Sequence, residues 1–208
     1  LNQNNKTGSF SAIAAALAVV GLLGCVQPWI VVSTSSMTLN VYDLAEWASL
    51  APAQSHTSPP LLASLLLRLQ PVILCVILGA VVDGRAKKTI AAIAILMLAA
   101  AQLPPFEYIY DINNINYRQQ FFLAVASLAG GWAAIRFWHQ WLSALAVIVL
   151  PIVGLATAAL GLSQAEALYR QFQMSAAAGA GIVLLSVSYL ALLVVSARDK
   201  FARGEATA

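Results

Sequence analysis

The chain has 208 residues, 61% of them hydrophobic and only 9% charged. Its apolar residues fall in blocks of roughly membrane-spanning length, which excludes an ordinary soluble domain. Eleven Lys and Arg against eight Asp and Glu give a formal charge of +3, too sparse and too scattered for a nucleic-acid surface, so no nucleic-acid partner is expected.

The composition predicts an all-α integral membrane protein, a single transmembrane domain over residues 1–208 organised as a compact bundle of six transmembrane helices. In such a bundle each helix satisfies its own backbone hydrogen bonds. The first span is expected over residues 10–31, rich in Ala, Gly and Leu and ending at a belt-like Trp29. Lys6 precedes it, and the stretch Gly24–Trp29 lacks a small-x-small cleavage pattern, so it reads as a retained span and not a secretory signal. An outer loop over residues 33–60 follows. Within it, residues 41–50 read as a short interfacial helix, with Asn40 placed to cap it and Asp43 in its first turn. Residues 54–60 form a breaker-rich connection.

The second span is expected over residues 61–82, and the charged turn Asp83-Gly84-Arg85-Ala86-Lys87-Lys88 marks its cytoplasmic end. A third span covers 89–103 and stops at Pro104-Pro105, after which residues 106–120 form a polar return. The apolar run from Phe121 to Leu162 is too long for one span. Dividing it at the polar turn 136–141 gives spans at 121–135 and 142–162, with Pro151 and Gly154 able to kink the latter. The final span is expected over 175–196. With the amino terminus in the cytoplasm, Lys6, Arg85, Lys87, Lys88, Arg136, Arg198, Lys200 and Arg203 fall on that side, and only Arg118 and Arg170 fall in outer connections. This positive-inside bias places both termini in the cytoplasm and suits a multi-pass protein of a bacterial inner membrane. A five-span arrangement is the main rival.

Chemistry-bearing groups are few. Cys25 and Cys75 lie in apolar runs without metal-ligand spacing, and neither His56 nor His139 falls near mid-span, so no metal and no cofactor is expected, although bound lipids suit the spans. No carboxylate falls at membrane depth to serve an ion relay, and no phosphate-binding glycine loop is present. Gly130 with Gly131, Ser175 with Gly179, and Ala177 with Gly181 read as close helix-packing positions.

Arg68 is the one charged residue inside an expected span, about 10–12 Å from its outer end at 1.5 Å per residue. Its stem is expected first to snorkel outward; the alternatives are an ion pair with Asp43 or Glu46, or contact with an anionic ligand. Asp43 and Glu46, with Trp47, Glu107, Tyr108, Tyr110, Asp111 and Arg118, make the outer side a candidate surface for a partner or a ligand. Membrane anchoring accounts for most of those aromatics, and capping and surface solvation account for Asp43 and Glu46 better than an acid–base pair does.

These observations lead to a noncatalytic accessory or scaffolding subunit of a larger membrane complex, whose partners are other integral membrane subunits and membrane lipids. The alternative is the substrate-binding component of a small-solute transporter. In size and number of spans the chain resembles the substrate-capturing membrane subunits of energy-coupling-factor vitamin transporters. That architectural resemblance implies a small solute held under the outer loops and a separate ATP-driven module. A membrane enzyme acting on lipid or isoprenoid substrates ranks third, since the charged clusters it needs are missing.

Overall fold

The computed structural model describes residues 3–32, 37–50, 59–137, 140–171 and 176–204. These residues build a helical molecule, 80% helix with seven α-helices. They are α1 (Gln3–Val26), α2 (Val41–Trp47), α3 (Leu62–Val81), α4 (Arg85–Ala101), α5 (Ile115–Phe137), α6 (Gln140–Gln171) and α7 (Ala180–Gly204). Four segments, 62–81, 115–137, 146–167 and 180–199, are long and apolar enough to cross a membrane, and the apolar part of α1, Phe10–Val26, is shorter.

α3 is the central helix: it packs against α1, α2, α4, α5 and α6. Its composition explains the position, since apolar residues occupy nearly its whole circumference and most are buried. Pairs of contacting residues fix the directions of the helices. Gly79 of α3 faces Gly131 of α5 and Arg68 faces Asn116, so these two helices run parallel. Gln70 meets Thr157 and Leu67 meets Gly161; Gln102 meets Ser127 and Ile95 meets Gly131; Ser188 donates to the Leu17 carbonyl and Leu185 meets Gly24. α6 is therefore antiparallel to α3, α4 to α5, and α7 to α1.

Close approach explains two glycine positions. A Cβ on Gly79 would collide with the Gly131 carbonyl oxygen, and one on Gly131 would press on the Ile95 side chain at 2.9 Å. The expected packing role of Gly130-Gly131 thus falls at the α3–α5 crossing. Pro151 lies inside α6 and cannot donate to Val147. The Ser196 hydroxyl of α7 donates to the Leu192 carbonyl at 2.7 Å and stands 3.4 Å from the Val147 carbonyl, so its single proton serves its own helix first.

Several expected boundaries are corrected. α1 ends at Val26 and not at residue 31, because Pro28 cannot continue a helix and disfavours helical geometry just before it. The freed backbone pairs instead in a small sheet of β1 (Ile30–Val32), β2 (Met37–Leu39) and β3 (Ala176–Ala178), in the order β2-β1-β3 with both pairings antiparallel. Trp29 is not an interfacial belt residue: it is fully buried, and its indole N–H donates to the Gly24 carbonyl at 2.9 Å.

The last helix begins at Ala180, so residues 176–179 are not part of a span. Gly179 consequently packs against the backbone of Pro28 and donates its N–H to Trp29, while Gly181 sits against Gln27, Trp29 and Gly24 of α1, a close helix approach made without a helical repeat with Ala177, which lies in a strand. Ser175, His56, His139 and most of the 54–60 connection lie outside the described residues. α4 starts at Arg85 and ends at Ala101, shifted from 89–103, since the charged turn itself enters the helix. α5 starts at Ile115, earlier than 121. α6 extends past Leu162 to Gln171.

Candidate functional site: a polar cluster under a helical strap

α2 lies across one end of the bundle and is held there by its own sequence. Asn40 accepts from the N–H groups of Tyr42 and Asp43, at 2.8 and 3.1 Å, and the Asp43 carboxylate reaches back to the Asn40 N–H at 3.4 Å. This reciprocal cap starts the helix where its pattern predicts. Its apolar face, Val41, Leu44 and Ala45, is buried against the bundle, so the helix is a strap over α3 and not an amphipathic helix resting on lipid alone. Three further contacts fasten it. Ser64 donates to the Ala45 carbonyl at 2.7 Å, Trp47 stacks on Tyr169 with centroids 4.2 Å apart and planes 7° from parallel, and Glu46 pairs with Arg68 at 2.6 Å.

Arg68 does not snorkel. Its side chain is 7% exposed while that of Glu46 is 52% exposed, so the carboxylate comes to the arginine from the solvent side. The guanidinium also donates to Asn116 Oδ1 at 2.6 Å and to Gln119 Oε1 at 3.0 Å. Asn116 Nδ2 and Gln120 Nε2 in turn donate to the two Glu46 oxygens, at 3.2 and 2.8 Å. Gln119 closes the circle by donating to the Leu61 carbonyl at 3.3 Å, at a residue held in the left-handed conformation, φ 62°. A buried arginine without such partners would be costly; here every acceptor comes from this chain.

Beside the cluster is a cavity of about 230 Å³ lined by Tyr42, Asp43, Glu46, Arg68, Gln102 and Gln120, with Ala101, Leu103 and Leu123 as apolar wall. Burial, with smaller effects from Cys25 and Cys75, pushes the Tyr42 phenol well above its usual range, so it faces the cavity neutral. The wall carries two carboxylates and one guanidinium with amide donors and acceptors. It can orient a small polar molecule, but it presents no nucleophile–base pair.

Of the residues singled out in the sequence, the structure gathers Asp43, Glu46 and Arg68 at the cavity and places Trp47 in the strap's aromatic stack. Glu107, Tyr108, Tyr110, Asp111 and Arg118 are not part of it. Glu107 and Tyr110 are exposed in or beside the short 3₁₀ turn Phe106–Ile109, Asp111 accepts from Asn114, and Arg118 projects from α5. Tyr108 lies 5.5 Å from Phe121.

Asn116, Gln119 and Gln120 were hidden because residues 106–120 read as one loop. The signal that reveals them is Asn114, whose side chain accepts from the N–H groups of Asn116 and Tyr117 as a helix cap, so that 116, 119 and 120 fall on one helical face. A second internal cluster, Gln70 with Thr157 at 2.9 Å and with the Tyr189 hydroxyl at 3.1 Å, had no signal beyond single polar residues in apolar runs. No protein-family model, curated protein or solved structure matches the chain.

Proposed function

We propose that this chain is a noncatalytic accessory subunit of a larger membrane assembly, crossing a bacterial inner membrane six times with both termini in the cytoplasm. α1 and α4 supply the two crossings beyond the four longest apolar helices. The observation that carries the reading is the outer return. Phe106 and Tyr110 are 87% and 92% exposed, and Ile109, Ile112 and Ile115 are exposed beside them. Large apolar side chains grouped on the connection between α4 and α5 and at the first residue of α5 suit a docking surface for another integral membrane subunit. α2 carries Asp43, Glu46 and Trp47, the other residues expected on that surface, and its apolar face is already spent on this chain's own bundle.

The test is gentle purification followed by native mass spectrometry, with a photo-crosslinking residue at position 110. A stoichiometric complex with one other membrane protein, cross-linked through position 110 and lost in Phe106→Ala/Tyr110→Ala, supports the assignment. A chain that purifies alone and gives no cross-link at position 110 overturns it.

The cavity favours a second reading, the substrate-binding component of a small-solute transporter. Retention of one solute by the purified chain, lost when Gln102→Leu and Gln120→Leu remove the amide groups of the wall, would move the assignment there.

A further inference from the structure

α5 turns one face entirely outward near its carboxyl end. Ala129, Trp132, Ala133, Arg136 and Phe137 follow the three- and four-residue spacing of a single helical face, and all five are exposed. The opposite side of the same turns, Gly131 and Ala134, is buried within the bundle. Because Ala129 and Ala133 are small while Trp132 and Phe137 stand 63% and 68% exposed, the face is not flat but encloses a groove of about 400 Å³. Arg136 closes its end with its guanidinium 5.4 Å from the Phe137 ring centre, and no carboxylate pairs with it among the described residues.

We infer that this groove is a binding site for one anionic phospholipid. The groove lies along a helix long and apolar enough to span, so its walls face acyl chains. An acyl chain laid over Ala129 and Ala133, between the two aromatic rings, covers apolar surface left exposed among the described residues. The headgroup phosphate then meets Arg136 at the helix end. Charge complementarity selects the lipid. Arg136 has no acidic partner among the described residues, and Arg85, Lys87 and Lys88 lie in the turn after α3 and the first turn of α4, at the same end of the bundle, because Gly79 and Gly131 are in contact. Trp132 suits the same depth, where an indole sits between chains and headgroups. The proposal is independent of whether the chain has a protein partner.

The experiment uses the full chain in phosphatidylcholine nanodiscs containing increasing palmitoyl-oleoyl phosphatidylglycerol, with lipid adducts counted by native mass spectrometry after transfer to detergent. One phosphatidylglycerol should be retained in preference to phosphatidylcholine. Arg136→Gln should weaken that retention about fivefold, the ratio equivalent to roughly 1 kcal/mol for one basic residue at an anionic surface. Ala133→Leu, which fills the groove and leaves every charge in place, should weaken it as well, while Arg136→Lys should restore most of the charge-dependent part. Equal retention of the two lipids overturns the site. So does an Arg136→Gln effect no larger than that of Lys87→Gln, which would mean diffuse surface charge, or an Ala133→Leu variant that binds as before. Circular dichroism and the thermal midpoint of each variant confirm that a loss of lipid is not a loss of fold.

Discussion

Removing the Glu46 carboxylate tests the polar cluster most directly, because it strips Arg68 of its counter-ion and leaves Asn116 and Gln120 each without an acceptor. Breaking a fully buried pair by deleting one partner costs about 3–5 kcal/mol. Arg68 meets that description at 7% exposure, but Glu46, at 52%, admits water into the vacated space, so Glu46→Ala is expected to cost roughly 2–3 kcal/mol. Arg68→Met should cost less, since the orphaned Glu46 can hydrate while only the Asn116 and Gln119 oxygens lose a donor. The double variant Glu46→Ala/Arg68→Met removes both charges, and its cost should fall short of the sum of the singles by about 1–2 kcal/mol. Equilibrium unfolding of the detergent-solubilised protein in increasing sodium dodecyl sulfate gives all three values. Additivity within about 0.5 kcal/mol would refute the reasoning, for it would mean that the two side chains do not depend on one another in the folded protein.

The α3–α5 crossing predicts an order between two glycine substitutions. Gly79→Ala drives a methyl into the Gly131 carbonyl and should destabilise by about 1–3 kcal/mol, whereas Gly131→Ala meets chiefly the Ile95 side chain, which can turn aside, and should cost less in the same titration. The Tyr169 hydroxyl is buried without a hydrogen-bond partner among the described residues, so Tyr169→Phe should be neutral or slightly stabilising at pH 7. Burial raises the Tyr169 phenol from 10 to about 12. Between those values the unfolded chain has already released its proton and the folded one has not. The stability associated with this group is therefore complete below pH 10 and lost as pH rises through 12. Tyr169→Phe should make the alkaline fall in unfolding midpoint shallower over that window, and an unchanged pH profile would show that the ring ionises freely in the fold.

The periodicity and punctuation of the sequence determined the local elements whose causes are themselves local. Residues 61–82 read as a span and form α3 at 62–81 because apolar residues dominate the stretch despite Ser64, Arg68, Gln70 and Pro71. Asn40 and Asp43 announced the start of α2 because a capping box involves only neighbours in the chain. The same local logic, pursued one step further at Asn114, would have recovered the start of α5 and with it Asn116, Gln119 and Gln120.

Only the tertiary structure decided the rest. Arg68 could reach solvent by snorkelling or stay buried, and the choice depended on whether α2 would lie over α3 and bring Glu46 within 2.6 Å, a contact spanning 22 residues of chain. Pairing of β1 with β3 joins residues 30–32 to 176–178, and no periodicity within three-residue segments announces a partner so distant. Close contacts such as Gly79 with Gly131, and the hydroxyl of Ser196 beside the carbonyl that Pro151 leaves unserved, arise only when helices far apart in sequence meet. The sequence carries each side chain's capacity to donate, accept or make room, and the packing of the bundle selects which partner receives it.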